Sequence, residues 1–307
     1  MTTLVLLFLA LLVGGIVFVL ANRETLTPEA FRAGSGYQEA RLGEGTTAYL
    51  DLGPRDGPVI VIVHGATLGS LAYQPYHEGF LEAGYRVITF DGWGRGFSDR
   101  IAGPLGIESM RRQLLELLET LEISQAALYG ISLGGAVVAR FGAAHPERTM
   151  GIGFQVPLVH GAESGGLLRL ARVPLLNRFL ARTLMVPQLI RRGEAVGTDS
   201  PAAAALYQHF CRQFEVIGTE QNILSMLIGD ATGNRLPDHA AIAAAGIPVQ
   251  FVYATDDPEI PRATVEAAID CYATPDVHRY EGGHFFSGNR QTELAEKLTS
   301  FLASATR

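Results

Sequence analysis

Seven residues, Tyr129-Gly130-Ile131-Ser132-Leu133-Gly134-Gly135, limit what this chain can fold into more than any other stretch. They follow the apolar run AALY and open the small-residue segment AVVARFGAA, so the order predicted is strand, sharp turn, helix. A serine at the centre of G-x-S-x-G in that setting occupies a strained turn that lifts its hydroxyl clear of a sheet. Strand and helix then approach so closely two positions either side of the serine that Gly130 and Gly134 are required there, and Gly135 lets the helix pack tightly. In a chain with 35 glycines an ordinary turn competes with this reading, and the flanking strand and helix decide against it.

The neighbouring segments supply the rest of an alternating fold. Tyr37 to Leu42 and Thr46 to Leu52 read as a hairpin that forms an antiparallel edge, closed by the turn signal GPRDGP. VIVIV at 59–63 is unbroken and β-branched, which marks a parallel strand buried on both faces. A helix is expected over 69–83, a strand over 85–90, an amphipathic helix over 108–121 and strands over 126–129 and 151–156. After a long insertion, strand 249–253, helix 262–271, strand 276–280 and helix 292–303 complete the pattern.

Chemistry is expected at the strand ends. The serine needs a base, and His284 in EGGHFF follows the last strand, whereas His145 sits at a proline-terminated helix end and His64 suits a loop-supporting role. An acid after strand 249–253 would orient the histidine, and both Asp256 and Asp257 in ATDDPEIP qualify. Negative charge developing on a carbonyl oxygen needs backbone N–H donors, for which Ala66 in H-G-A and Leu133 after the serine are the candidates. Ser98 and Asp99, in the loop DGWGRGFSD, read as turn and cap residues.

H-G after one strand, D-x-x-G-x-G-x-S-D after the next and then G-x-S-x-G-G resemble, in that order, the α/β-hydrolase superfamily, with the likeness running from about residue 37 to the C-terminus. The resemblance implies a mostly parallel sheet flanked by helices, a helical cap inserted at 158–245, and a Ser132–Asp257–His284 triad that works without a metal or organic cofactor. Its acid pattern, G-x-x-D with a proline four residues later, selects Asp257, although Ala254 stands where the family has glycine. Serine at the elbow argues against the dehalogenase and epoxide hydrolase branches, which use aspartate there. The anchor described next, the H-G-A turn and the cap make the chain similar to monoacylglycerol lipases. A carbon–carbon bond hydrolase, a cofactor-free peroxidase and a non-catalytic sensor are the alternatives.

Residues 1–22 carry no charged side chain, and Leu4 to Leu20 would extend about 25–30 Å as a helix, enough for a bilayer core. A single membrane-spanning anchor is expected, with a cleaved signal peptide and a buried core helix as the competing readings, followed by a linker at 23–36. Arg23, Arg32 and Arg41 all follow the span, which places the catalytic domain, 37–157 and 246–307, on the cytoplasmic side. Between Gly166 and Arg192 lie six arginines and no acid among apolar residues, a pattern suited to a bilayer interface above the site. A net charge of −7 offers no basic face for nucleic acid. Cys211 and Cys271, with no ligand spacing, indicate neither disulfides nor zinc. The expected partners are therefore a small ester or lipid and a membrane.

Overall fold

The computed structural model describes residues 2–21, 23–66, 68–160, 173, 176–194 and 200–305. Eight strands form one sheet in the order β1-β2-β4-β3-β5-β6-β7-β8. These are β1 Gln38–Arg41, β2 Thr46–Leu52, β3 Val59–Val63, β4 Arg86–Phe90, β5 Ala126–Ile131, β6 Thr149–Gln155, β7 Val249–Ala254 and β8 Asp276–Tyr280. The hairpin β1–β2 is antiparallel and joins β4 antiparallel, while every pair from β4 to β8 is parallel. Residues of β3 and β5 are almost entirely buried, as their unbroken apolar composition requires of central parallel strands.

Helices cover both faces. In chain order α1 is Thr2–Leu20, α2 Pro28–Arg32, α3 His77–Glu82, α4 Ile107–Thr120 and α5 Leu133–Ala144. The stretch expected as one helix over 69–83 is a 3-10 segment, Ser70–Tyr76, running into α3; Pro75 inside it removes a backbone donor. The cap contains α6 Leu176–Leu180, a π-helical stretch Ala181–Met185, α7 Val186–Glu194, α8 Pro201–Arg212 and α9 Thr219–Ile228. Helices α10 Leu236–Ala244, α11 Arg262–Ile269 and α12 Gln291–Ala305 return the chain to the core.

The N-terminal expectations change. Among the described residues no helix is long and apolar enough to cross a membrane, so a spanning anchor finds no support. Helix α1 does form, about 28 Å long, and it exposes Leu11, Val13 and Val17 among other large apolar side chains. Its end is not free. Nη1 of Arg182 donates to the carbonyls of Phe18 and Ala21 at 2.9 and 2.6 Å, and the same guanidinium meets Glu220 at 2.9 Å. The stretch read as a linker is also packed. Thr27 caps α2, Phe31 and Arg32 are buried, Arg32 bonds Asp99 and the carbonyl of Phe97, and Leu26 bridges Val216 of the cap.

The cap arginines are not all free to face a bilayer interface. Arg169 and Arg172 lie outside the described residues, whereas Arg182 is buried against α1 and Arg192 pairs with Glu259. Both cysteines are free and half-buried.

Candidate active site

The elbow is built by close approach. Ser132 sits between β5 and α5 at φ 54°, ψ −117°, a conformation that costs about 1–3 kcal/mol for a residue with a side chain. Three backbone bonds hold it: Ser132 N–H to Gln155 O, and Leu158 N–H and Gly135 N–H to Ser132 O, each at 2.9 Å. A Cβ at Gly130 would stand 2.6 Å from the carbonyl oxygen of Gly134, and one at Gly134 would land on that of Val63. The two flanking glycines are therefore steric requirements.

The loops after β7 and β8 bring the other two groups to the same strand ends. His284 Nδ1 donates to Asp257 Oδ2 at 2.7 Å, and Nε2 receives the Ser132 hydroxyl at 3.1 Å. Asp257 Oδ1 accepts the amides of Glu259 and Ile260 at 2.8 and 3.0 Å. Burial pushes the Asp257 carboxyl up, but the His284 ring and those amides outweigh it and hold the group below the usual carboxylate range. Asp257 thus stays ionised opposite the histidine. Asp256 is exposed, and its carboxylate accepts the Thr255 hydroxyl at 3.0 Å, away from His284.

Ala66 and Leu133, the two candidate donors, lie beside Ser132. Leu133 is the first residue of α5, where the helix dipole favours negative charge. Ala66 lines the catalytic cavity, and its carbonyl is held by Arg95 Nε at 2.7 Å. Neither amide donates to another described residue. His64 is buried and takes the supporting role, with Nδ1 donating to Gly65 O at 2.7 Å and Nε2 accepting Gly92 N–H at 2.8 Å. It ties the loop after β3 to the loop after β4. Ser98 and Asp99 act likewise, bonding the backbone of Ala48 and Thr46. His145 lies at the far end of α5, against Arg111.

The cavity in front of Ser132 has a volume of about 620 Å³ and is walled largely by alanine, leucine, proline and other apolar side chains of the core and of α8. Four polar features there were not singled out from the sequence. Gln155, at the end of β6, accepts Tyr76 and Tyr129 hydroxyls and donates to Ser287 at 3.0 Å. Tyr73 accepts the Gly65 amide at 3.4 Å, and burial pushes its phenol pKa up, so it remains protonated. Arg192 of the cap and Glu259 of the acid loop face one another at the wall. A glutamate two residues after the aspartate of the D-x-x-x-P loop was a readable signal, since it must follow Asp257 to the same strand end. Among the described residues no cluster of three or more His, Cys, Asp or Glu is arranged to hold a metal.

Against known proteins, the profile of the family described as alpha/beta hydrolase fold matches residues 58–287. The chain is 27% identical over 273 residues to the magnesium-chelatase 30 kDa subunit of Rhodobacter capsulatus, covering 84% of this chain and 93% of that one. The crystal structure of the enol-lactonase from Burkholderia xenovorans LB400 has a TM-score of 0.73 at 18% identity and covers 87% of this chain and 100% of its own. That of a membrane phospholipase A, described as a bacterial virulence factor, scores 0.70 at 19% identity and covers 100% of both chains. At these identities the structural likenesses concern the fold.

Proposed function

The chain belongs to the alpha/beta hydrolase fold family, and on that footing we propose that it is a serine hydrolase cleaving carboxylic esters, with lipid esters such as monoacylglycerols as its substrate class. The observation that carries this reading is the unbroken relay from Ser132 Oγ through His284 to Asp257 at 3.1 and 2.7 Å, opening into a largely apolar cavity. His284 Nε2 takes the serine proton as Oγ attacks the ester carbonyl. The amides of Ala66 and Leu133 receive the oxyanion, and Asp257 stabilises the imidazolium. As the tetrahedral species collapses, the C–O bond to the alcohol breaks and Nε2 returns the proton to the departing oxygen. Water, deprotonated by the same nitrogen, then releases the acid and restores Ser132.

A fluorophosphonate probe and a panel of p-nitrophenyl and glyceryl esters test the proposal together. Wild-type protein should label and turn over, and Ser132→Ala should do neither, with turnover lower by about four or more orders of magnitude. Undiminished labelling of the variant would remove Ser132 from the reaction. Residual turnover of a carbon–carbon substrate but no ester would favour the alternative chemistry instead.

The apolar exposure of α1 supports a lipid-surface location. Removing residues 1–22 should spare short soluble esters and depress hydrolysis of long-chain monoacylglycerol in vesicles. Equal vesicle rates for both forms would exclude it.

A further inference from the structure

The acid loop carries a carboxylate that the relay does not use. Glu259 lies two residues beyond Asp257, and its Oε2 stands 3.7 Å from Nε2 of His284, the atom that meets Ser132 Oγ. From the opposite wall Arg192, near the end of α7, forms an ion pair with that same Oε2. Both side chains remain partly exposed, at 40% for Arg192 and 25% for Glu259, and both line the cavity.

Position gives this pair a chemical task. During acylation Nε2 hands its proton to the departing alkoxide, so the departing oxygen must come within hydrogen-bond reach of that nitrogen. The departing alcohol therefore lies beside Glu259. A carboxylate has about four acceptor sites and a guanidinium five donors, so pairing with one another leaves capacity on each for a third group. The pair carries no net charge, so it offers an anionic or cationic alcohol no net attraction. A hydroxyl, which both donates and accepts, satisfies the two at once. The apolar side chains lining the cavity, Leu71, Ala72, Val156 and Leu206 among them, have no such preference.

Resting on the ester-hydrolase reading, we infer that Glu259 and Arg192 select the leaving group: the site takes esters of a neutral polyol, with a hydroxyl next to the ester oxygen, ahead of esters of simple alkyl alcohols. The free hydroxyl donates to the Glu259 carboxylate and accepts from Arg192. A serine hydrolase whose cap only latched shut through this pair would treat both kinds of ester alike.

The test compares kcat/KM of the full-length protein on 1-decanoylglycerol and on ethyl decanoate, both below their aggregation limits. Wild type, Glu259→Leu and the charge-balanced double variant Arg192→Met/Glu259→Leu are measured, with fluorophosphonate labelling of Ser132 reporting an assembled relay in each. We expect wild type to prefer the glyceryl ester, and the ratio of glyceryl to ethyl kcat/KM to fall about ten- to a hundredfold in both variants, the scale of a hydrogen bond to a charged group. The double variant keeps an unpaired arginine from being the cause. An unchanged ratio, or an equal loss on both esters, would overturn the inference and leave the pair as a latch. Preference for decanoyl phosphoglycerol over decanoylglycerol would overturn the neutrality of the leaving group. Cleavage of both esters without preference in the wild type would sink this inference alone, whereas no cleavage of any carboxylic ester by labelled protein would sink the ester reading beneath it.

Discussion

The sheet and the cap are held together in different ways. Around β3, β5 and β6 one continuous apolar cluster packs both faces, with Trp93, Tyr129 and Phe154 fully buried. Besides the residues it lends to that cluster, the cap has a small one of its own built on Phe210, Phe214 and Ile223 with Leu68, and charged groups reach from it to its surroundings: Arg182 to the end of α1 and Arg192 to Glu259. A packed apolar interior resists change because each atom displaced opens a void. The Arg192–Glu259 pair, between partly exposed side chains, costs little to exchange. The sheet therefore fixes where Ser132, His284 and Asp257 meet, and the cap is the part freer to vary.

Three experiments would break or sharpen that contrast. The largest effect belongs to the sheet side: Asp257→Asn should lower kcat by about 10⁴, the loss seen when a triad acid can no longer hold its histidine in the right tautomer. Asp256→Asn, exposed and turned towards Thr255, should change it less than about threefold, and esterase kinetics on the two variants decides whether the acid was assigned correctly. Next, Arg182→Met strands Glu220 and uncaps α1, a local cost of about 3–5 kcal/mol for breaking a buried pair. Limited proteolysis should cut within the cap faster while the main melting transition hardly moves. An equal fall in the main transition would mean that cap and sheet unfold as one.

The smallest effect is a pH response. Burial lowers His77 and His239 to about 4, so both stay neutral in the folded protein while the unfolded chain protonates near 6.5. Unfolded chain then binds more protons between those values, and stability is lost as pH falls from about 6.5 to about 4, by about 1–3 kcal/mol for each histidine. His209, beside Phe31 and Phe97 on the cap side, is shifted down by burial too. Acid should therefore loosen both regions, and His77→Gln/His239→Gln should flatten the Tm-against-pH curve of the main transition only. A curve as steep as the wild type's would assign the response elsewhere.

Much of the sheet side was legible because its signals are local. An unbroken VIVIV run and glycines two either side of a serine each state a constraint within a few residues, while the choice of Asp257 over Asp256 came from the resemblance. The structure brings Ser132, Asp257 and His284 together where that reading set them. What the sequence hid depends on residues far apart. Arg192 and Glu259 are separated by the whole second half of the cap, and no periodicity links Arg182 to the carbonyls of Phe18 and Ala21. The packing of 23–36 was missed for another reason. Pro28, Gly34 and Gly36 suggested a flexible linker, yet Thr27-Pro28 is also a helix start, with a capping hydroxyl and proline in the first turn. Phe31 and Arg32 then had a helix to be buried from.

The spacing of the relay along the chain also governs when the protein becomes reactive as it is made. Ser132 and His284 lie 152 positions apart. At about 5–20 residues per second a ribosome needs roughly 8–30 s to travel from one to the other. Throughout that interval the elbow serine has no partner to take its proton and is an ordinary alcohol. The nascent chain thus carries a built-in delay: on the proposed mechanism, the relay from Ser132 through His284 to Asp257 is complete only once the cap has been synthesised and the last strand can dock.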